Sequence, residues 1–321
     1  MRLENHNAII VKNFITESGV LYPVINLSYQ IFGQSLYAAP IVLVNHALTG
    51  NAQVIGENGW WNNLIGENKT IDTKKYSLLA FNVPGNGYDG FVLKNYKDFN
   101  ARDIAKIFLI GLESLKIKQL FAIIGGSVGG GIAWEMAALS PRITQNLIPI
   151  ATDWKSTDWV IANCFLQEQI LKNSSTPIED ARIHAMLCYR TPASFSVKFQ
   201  RKVNEKLAVF DVESWLAHHG EKLQKRFQLS AYKMMNQLLK TIDITRGRDS
   251  FVSVASKIEG AIWIIGIDTD LFFTATENRV TYEILKQGKQ DVSYQEMVSI
   301  HGHDAFLIEY KQLHRLLAPI F

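Results

Sequence analysis

One serine set among five glycines is the strongest chemical signal in this 321-residue chain. The segment from Ile123 to Ala137 reads IIGGSVGGGIAWEMA, in which Gly125, Ser127 and Gly129 fit the pattern G-x-S-x-G. An apolar run precedes the serine and a helical pattern follows it, which is the setting of a strained turn that exposes a nucleophilic hydroxyl. Glycines two residues to either side permit the close backbone approach that such a turn requires. The pattern predicts that Ser127 is a nucleophile.

Other glycine-rich turns fit this segment less well. A Walker-type phosphate loop needs a lysine and a Ser or Thr after its last glycine, but Ile132 and Ala133 follow Gly131. A dinucleotide-binding turn needs its glycines spaced G-x-G-x-x-G near the first strand. A purely structural turn between a strand and a helix remains the alternative.

A serine hydroxyl is a weak nucleophile, so it needs a base and an acid that orients the base. Two segments in the last third of the chain supply candidates: AIWIIGIDTDLFF contains Asp268 and Asp270, and SIHGHDAFL contains His301 and His303. We favour Asp270 because it lies further past the end of the predicted strand. We favour His303 because Gly302 precedes it and a helix-like run follows it. Asp268 and His301 remain the alternatives.

The loop NHALTG follows another predicted strand directly. In a serine-dependent acyl transfer, the negative oxygen of the tetrahedral intermediate is bound by backbone N–H groups, and each such donor lowers the barrier by about 3 kcal/mol. The N–H groups of Leu48, in this loop, and Val128, after the serine, are the predicted pair. For His46 in the same loop we expect a structural role.

The elements that must position these residues follow from the apolar pattern. Eight short runs rich in β-branched and aromatic residues predict strands. From the third run onward, segments long enough for a helix separate most of them, which predicts crossover connections and a mostly parallel sheet. The first two runs are predicted to form an antiparallel edge. The runs are Ala8–Val11, Val24–Tyr29, Ile41–Val44, Tyr76–Phe81, Leu120–Ile124, Leu147–Ile150, Ala261–Ile265 and Ser293–Met297.

The strand pattern stops for about a hundred residues before the seventh run. That part of the chain contains helical segments such as IEDARIHAMLCYR and DVESWLAHHGEKLQKRF. We predict a core domain formed by residues 1–151 and 256–321, with residues 152–255 inserted as a helical lid.

Composition excludes several kinds of function. The formal net charge is only +3 and the basic residues are scattered, so nucleic acid is not an expected partner. No apolar segment is long enough to cross a bilayer and the first residues lack the pattern of a signal peptide, so we expect a cytoplasmic protein without membrane contact. Cys164 and Cys188 are isolated, and no clustered ligand set predicts a metal site.

Taken together, several segments resemble the homoserine O-acetyltransferase family of the α/β-hydrolase superfamily. They are NHALTG, GWWNNLIGENKTIDTKKY, GGSVGG, ARIHAMLCYR, FDVESWLAHHGEKLQKRF and GHDAFL, in the family's order between about residues 41 and 310. The resemblance implies an α/β-hydrolase fold and a two-step reaction. The serine of the strained turn takes an acetyl group from acetyl-CoA, and the hydroxyl of homoserine then takes that group from the serine.

The resemblance also assigns roles to residues. It implies Ser127, Asp270 and His303 as a catalytic triad, with Leu48 and Val128 as the oxyanion donors, in agreement with the choices above. It further implies that Arg190 and Asp304 bind the carboxylate and the ammonium group of the amino acid. A lid salt bridge for Arg190 and a helix N-cap for Asp304 are the alternatives. Acetyl-CoA is implied as a co-substrate, no bound cofactor is implied, and the lid helices are expected to form a homodimer.

Two departures from the family weaken the substrate prediction. The segment FNVPGNGYDG stands where the family usually has Cys-x-Asn-x-Leu-Gly and a Thr-Gly-Pro stretch, and Val128 stands where it usually has methionine. Three alternatives therefore stay open: transfer to serine, an esterase that uses water with the same triad, and a non-catalytic binding protein on the same fold.

Overall fold

The computed structural model describes residues 7–321, and its centre is an eight-stranded sheet. Each predicted run lies within, or overlaps, one of these strands. The strands are β1 (Asn7–Ile15), β2 (Leu21–Gly33), β3 (Ile41–Asn45), β4 (Ser77–Phe81), β5 (Leu120–Gly126), β6 (Thr144–Ile150), β7 (Ala261–Ile267) and β8 (Val292–Met297).

The strand order across the sheet is β1-β2-β4-β3-β5-β6-β7-β8. β1 pairs antiparallel with β2, and β2 pairs antiparallel with β4, whereas every pairing from β4 to β8 is parallel. This confirms both the mostly parallel sheet and the antiparallel edge. Because parallel strands end at the same edge, the loops that follow β3, β5, β6, β7 and β8 are brought together there.

Ten α-helices lie in the described part of the chain. Four lie outside the stretch between β6 and β7: α1 (Ala101–Ser114), α2 (Val128–Leu139), α9 (Ala275–Leu285) and α10 (Tyr310–Leu317). Those between β6 and β7 are α3 (Asp158–Asn173), α4 (Pro177–Tyr189), α5 (Pro192–Phe199), α6 (Asp211–Arg226), α7 (Leu229–Lys240) and α8 (Phe251–Ala255).

The apolar core lies on both faces of the sheet. Phe108 of α1, Met136 of α2 and Leu285 of α9 belong to the cluster on one face. Leu313 of α10 and Trp61 belong to the cluster on the opposite face. With helices on both faces of a largely parallel sheet, the chain has a three-layer α/β architecture.

Between β6 and β7 the chain forms helices joined by loops, with a two-residue ladder that pairs Val203–Asn204 with Val209–Phe210 and an isolated bridge between Lys155 and Asp243. The division into a core and a lid stays a prediction.

The chain that follows α7 is held by the buried guanidinium of Arg102. Arg102 Nε donates to Glu135 Oε2 at 3.0 Å, and its Nη atoms donate to the carbonyls of Asp243 and Arg246. This network attaches the end of the helical segment to the helix that follows the candidate nucleophile.

Across residues 7–321 there is no helix with the length and apolar character that spanning a membrane would require.

Candidate active site

Ser127 lies in the turn between β5 and α2. Its φ of 56° and ψ of −129° are a strained conformation for a residue with a side chain. A Cβ atom on Gly125 would lie 2.5 Å from the carbonyl carbon of Gly129, and one on Gly129 would lie 2.5 Å from the backbone oxygen of Asn45. Both glycines are therefore required by close backbone approach, as predicted. The N-terminus of α2 begins directly after the serine and directs its free N–H groups toward the same place.

The sheet register brings the loop after β3 beside this turn. Asn45 is the register partner of Gly125, and its side-chain amide donates to the backbone oxygen of Gly129 at 3.2 Å. The loop that carries Leu48 is thus attached to the turn that carries Ser127. Within residues 7–321 the N–H of Leu48 donates to no protein acceptor, so it is free to bind a ligand oxygen.

His46 holds this loop in place. The backbone N–H of Val83 donates to its Nε2 at 3.0 Å, so the ring proton is on Nδ1, which donates to the carbonyl of Ala47 at 2.8 Å. Complete burial lowers the pKa of His46 to about 4, although the bond to Ala47 acts in the opposite direction. The ring is therefore neutral at physiological pH, and it fixes the carbonyl that precedes Leu48.

His303 and Asp270 meet beside the nucleophile turn. His303 Nδ1 lies 2.8 Å from Asp270 Oδ2, and the other carboxylate oxygen of Asp270 accepts bonds from the N–H groups of Phe272 and Phe273. Both side chains are buried, with residue exposures of 3% and 4%. Burial alone would lower the pKa of His303, but the charges of Asp270 and Asp304 raise it, and the net shift is upward.

The two alternative residues lie elsewhere in the same loops. Asp268 Oδ1 accepts a bond from the backbone N–H of Ser299 at 2.9 Å, which joins the loops after β7 and β8. His301 Nδ1 faces Ser194 Oγ at 3.1 Å and an Nη atom of Arg190 at 3.4 Å. The structure thus brings together Asp270 and His303 and leaves Asp268 and His301 apart from that pair.

A cavity of about 70 Å³ joins most of the predicted site residues. Ser127, with 5% exposure, and His303 both line it. Val128 is buried at the first position of α2 and is not one of the lining residues. The complete lining is Ala47, Leu48, Thr49, Ser127, Arg182, Tyr189, His303, Asp304, Phe306 and Leu307.

Arg182 is the charged lining residue that the sequence interpretation missed. It lies on α4, half-buried, with its guanidinium carbon 6.0 Å from the ring of Tyr189. Within residues 7–321 it has no carboxylate partner. Arg182 and Tyr189 are seven residues apart on one helix, a spacing that places them on the same face of the helix. That spacing was the feature of the sequence from which their shared orientation could have been predicted.

Arg190 and Asp304 contact each other. Arg190 Nε donates to Asp304 Oδ2 at 2.9 Å, and the two side chains are 19% and 16% exposed. Asp304 lines the cavity, whereas Arg190 does not. Of the two residues predicted to bind the amino acid, one therefore faces the nucleophile and the other lies behind it.

Comparison with known proteins agrees with the architecture. Residues 40–175 match the family model of the alpha/beta hydrolase fold. Esterase E22 is 17% identical with a TM-score of 0.87, and the match covers 98% of this chain and 99% of that one. Homoserine O-acetyltransferase from Staphylococcus aureus is 24% identical with a TM-score of 0.84, over 98% and 94% of the two chains. The chain is an α/β-hydrolase-fold protein, as expected.

A relative with higher sequence identity identifies the family within this fold class. Homoserine O-acetyltransferase of Cyclobacterium marinum is 33% identical over an alignment of 333 positions, which covers 95% of this chain and 92% of the relative. The chain belongs to the homoserine O-acetyltransferase family, a family of acyltransferases. The resemblance stated from the sequence motifs is confirmed.

Proposed function

We propose that this protein transfers an acetyl group from acetyl-CoA to the side-chain hydroxyl of L-homoserine through an acetyl-enzyme on Ser127. The observation that carries the proposal is the contact of His303 with Asp270 beside the cavity that Ser127 lines. Membership of the acyltransferase family and the presence of one cation, Arg182, and one anion, Asp304, in the cavity lining support the same reaction.

In the first step, Ser127 Oγ attacks the carbonyl carbon of the thioester while His303 Nε2 accepts its proton. The N–H groups of Leu48 and Val128 bind the oxyanion of the tetrahedral intermediate. The carbon–sulfur bond then breaks, and His303 returns the proton to the sulfur, so CoA leaves as a free thiol. Asp270 keeps the imidazole in the tautomer whose Nε2 can accept a proton.

In the second step, the hydroxyl of homoserine gives its proton to His303 and attacks the acetyl carbonyl. The ester bond to Ser127 breaks and the proton returns to the serine, which completes the cycle. The acceptor carries a carboxylate and an ammonium group. Arg182, which has no carboxylate partner within residues 7–321, provides the cation for the first, and Asp304 provides the anion for the second.

Ester hydrolysis is the second candidate, because water can replace the amino acid in the second step. Acetyl transfer and hydrolysis are distinguished by incubating the purified protein with acetyl-CoA and measuring the release of free thiol with and without L-homoserine. Mass spectrometry identifies the product. We expect thiol release that depends on homoserine and yields O-acetylhomoserine. Thiol release at the same rate without any amino acid, and without that product, would assign hydrolysis.

A Ser127→Ala variant tests the nucleophile in the same assay. Loss of the hydroxyl is expected to reduce turnover by about 10⁴-fold or more, while folding is retained because only one oxygen atom, which borders the cavity, is removed. Ser140→Ala, at the far end of α2, is the matched control and keeps full activity. Acetyl-labelled protein in Ser127→Ala would show that another residue carries the acyl group.

The proposal also includes a cytoplasmic location, no bound cofactor or metal, and a homodimer through the lid helices. Serine in place of homoserine is tested as acceptor in the thiol assay. Sedimentation of the purified protein measures the oligomeric state, and a monomer at micromolar concentration would remove the dimer from the proposal.

A further inference from the structure

The corner between α4 and α5 is pressed against the loop that carries His303. A Cβ atom on Gly302 would lie 3.0 Å from the backbone oxygen of Tyr189 and 3.2 Å from Cγ2 of Thr191. The hydroxyl of Thr191 donates to the backbone oxygen of Ile300. Because these contacts reach the residue next to His303, the corner and the loop form one packed unit.

Arg190 is the charged member of this corner. Its Nε donates to Asp304 Oδ2 at 2.9 Å, and an Nη atom lies 3.4 Å from His301 Nδ1. Its guanidinium carbon is 6.0 Å from the ring of Trp215 on α6. The side chain is thus held from three sides, with its Nε bonded to Asp304, and it does not line the cavity.

Asp304 uses only one of its two carboxylate oxygens for this bond. Within residues 7–321, Oδ1 has no hydrogen-bond partner, although the residue lines the cavity beside Ser127 and His303. A carboxylate can bind a cation at each oxygen, and a charge-assisted bond at one oxygen restricts rotation of the other. The second oxygen is therefore available to a ligand in the cavity.

We infer that Arg190 is a positioning residue that acts through Asp304, holding Oδ2 so that Oδ1 is directed at the ammonium group of the acceptor amino acid. The inference rests on the proposed function and refines it, because the resemblance implied a direct contact between Arg190 and the carboxylate of the substrate. It predicts that Arg190 affects recognition of the ammonium group and leaves recognition of the carboxylate to other residues.

Two analogues of homoserine separate these possibilities. 3-Aminopropan-1-ol keeps the ammonium group and hydroxyl but lacks the carboxylate, and 4-hydroxybutanoate keeps the carboxylate and hydroxyl but lacks the ammonium group. Each is measured as an acceptor, or as a competitive inhibitor against homoserine, in the full-length wild type and in Arg190→Gln. Arg201→Gln, an exposed cation elsewhere between β6 and β7, is the matched control.

Arg190→Gln is expected to weaken the binding of homoserine and of 3-aminopropan-1-ol by about tenfold to a hundredfold. The binding of 4-hydroxybutanoate is expected to weaken by less than about threefold. The KM for acetyl-CoA is expected to change less than the KM for homoserine, since Arg190 does not line the cavity. Arg190→Lys should recover part of the loss, and adding Arg190→Gln to Asp304→Asn should cost little more, because the two residues act as one unit.

The opposite preference, with 4-hydroxybutanoate weakened and 3-aminopropan-1-ol unaffected, would show direct carboxylate binding and overturn the inference. Equal losses for all three ligands would indicate a general structural role and would also overturn it, as would additive losses in the double variant. Should Arg190→Gln fail to fold, Arg190→Lys is measured with the same ligands. Absence of acetyl transfer in the wild type itself would instead refute the proposed function.

Discussion

His303 Nδ1 lies 2.8 Å from Asp270 Oδ2, although the two residues are 33 positions apart in the chain. The carboxylate is itself held, because its Oδ1 accepts the backbone N–H groups of Phe272 and Phe273 at 2.7 and 3.0 Å. A fixed carboxylate at Nδ1 keeps the proton on that nitrogen and leaves Nε2 as the proton acceptor. The proposed base is thus oriented by backbone geometry before any substrate binds.

Replacement of Asp270 by asparagine tests this relationship. An amide in that position favours the wrong imidazole tautomer, so acetylation of Ser127 is expected to slow by about 10⁴-fold with the fold retained. The measurement is the burst of acetylated protein after mixing with acetyl-CoA. Asp268→Asn is the matched control, since Asp268 bonds to the backbone of Ser299, and a larger defect in this variant would reverse the assignment.

Substitution of Arg182 by glutamine tests the proposed carboxylate site. Removal of the cation is expected to raise the KM for homoserine by about tenfold or more while the KM for acetyl-CoA changes little. Steady-state kinetics with each substrate varied in turn supply both values, and Arg201→Gln again serves as the control. The reverse pattern, a higher KM for acetyl-CoA alone, would remove Arg182 from the amino-acid site.

The pH dependence of acetylation reports on His303. Its pKa lies above the usual 6.5, because the charges of Asp270 and Asp304 outweigh the effect of burial. The base must be neutral to accept a proton, so the rate is expected to fall as the pH drops through a midpoint above about 6.5. Asp304→Asn removes one negative charge and should move that midpoint to lower pH. An unchanged midpoint in Asp304→Asn would contradict the electrostatic explanation.

The stability of the protein in mild acid is expected to depend on His46. The unfolded imidazole takes up a proton near pH 6.5, whereas burial lowers the pKa in the folded protein to about 4. The unfolded state therefore binds more protons between these values, and stability falls by about 3 kcal/mol as the pH drops across that range.

Urea unfolding at several pH values measures the effect of His46. In His46→Gln this part of the pH dependence should disappear, whereas His218→Gln, at an exposed position of α6, should retain it. Equal slopes in wild type and His46→Gln between pH 6.5 and 4 would show that His46 is not the group responsible.

The strands were predictable because each depends on a short run of neighbouring residues. A short run of β-branched and aromatic residues between polar segments forms a strand wherever it can be buried, as for the run predicted at Ile41–Val44 and observed as Ile41–Asn45. The turn at Ser127 was predictable for the same reason, since close backbone contacts within a few residues require Gly125 and Gly129.

The orientation of the side chains between β6 and β7 was not predictable in this way. Arg190 and Arg182 lie in the same helical segment of sequence, and the family resemblance pointed to Arg190. However, α4 ends at Tyr189, and Arg190 has extended backbone angles of −116° and 167°, so helical spacing no longer decides its direction. The side chain turns back onto Asp304, and Arg182, still within the helix, lines the cavity.

By itself the sequence determined the mostly parallel sheet, the strained turn at Ser127 and a short set of acids and histidines at later strand ends, since each depends on neighbouring residues. Tertiary structure alone decided which members of that set meet. Pairing of Ile267 with Met297 aligns the ends of β7 and β8, and the loops that follow then bring Asp270 to His303 while Asp268 bonds to Ser299. Distances of a few ångströms between residues far apart in the chain depend on strand register and packing, which no local pattern encodes.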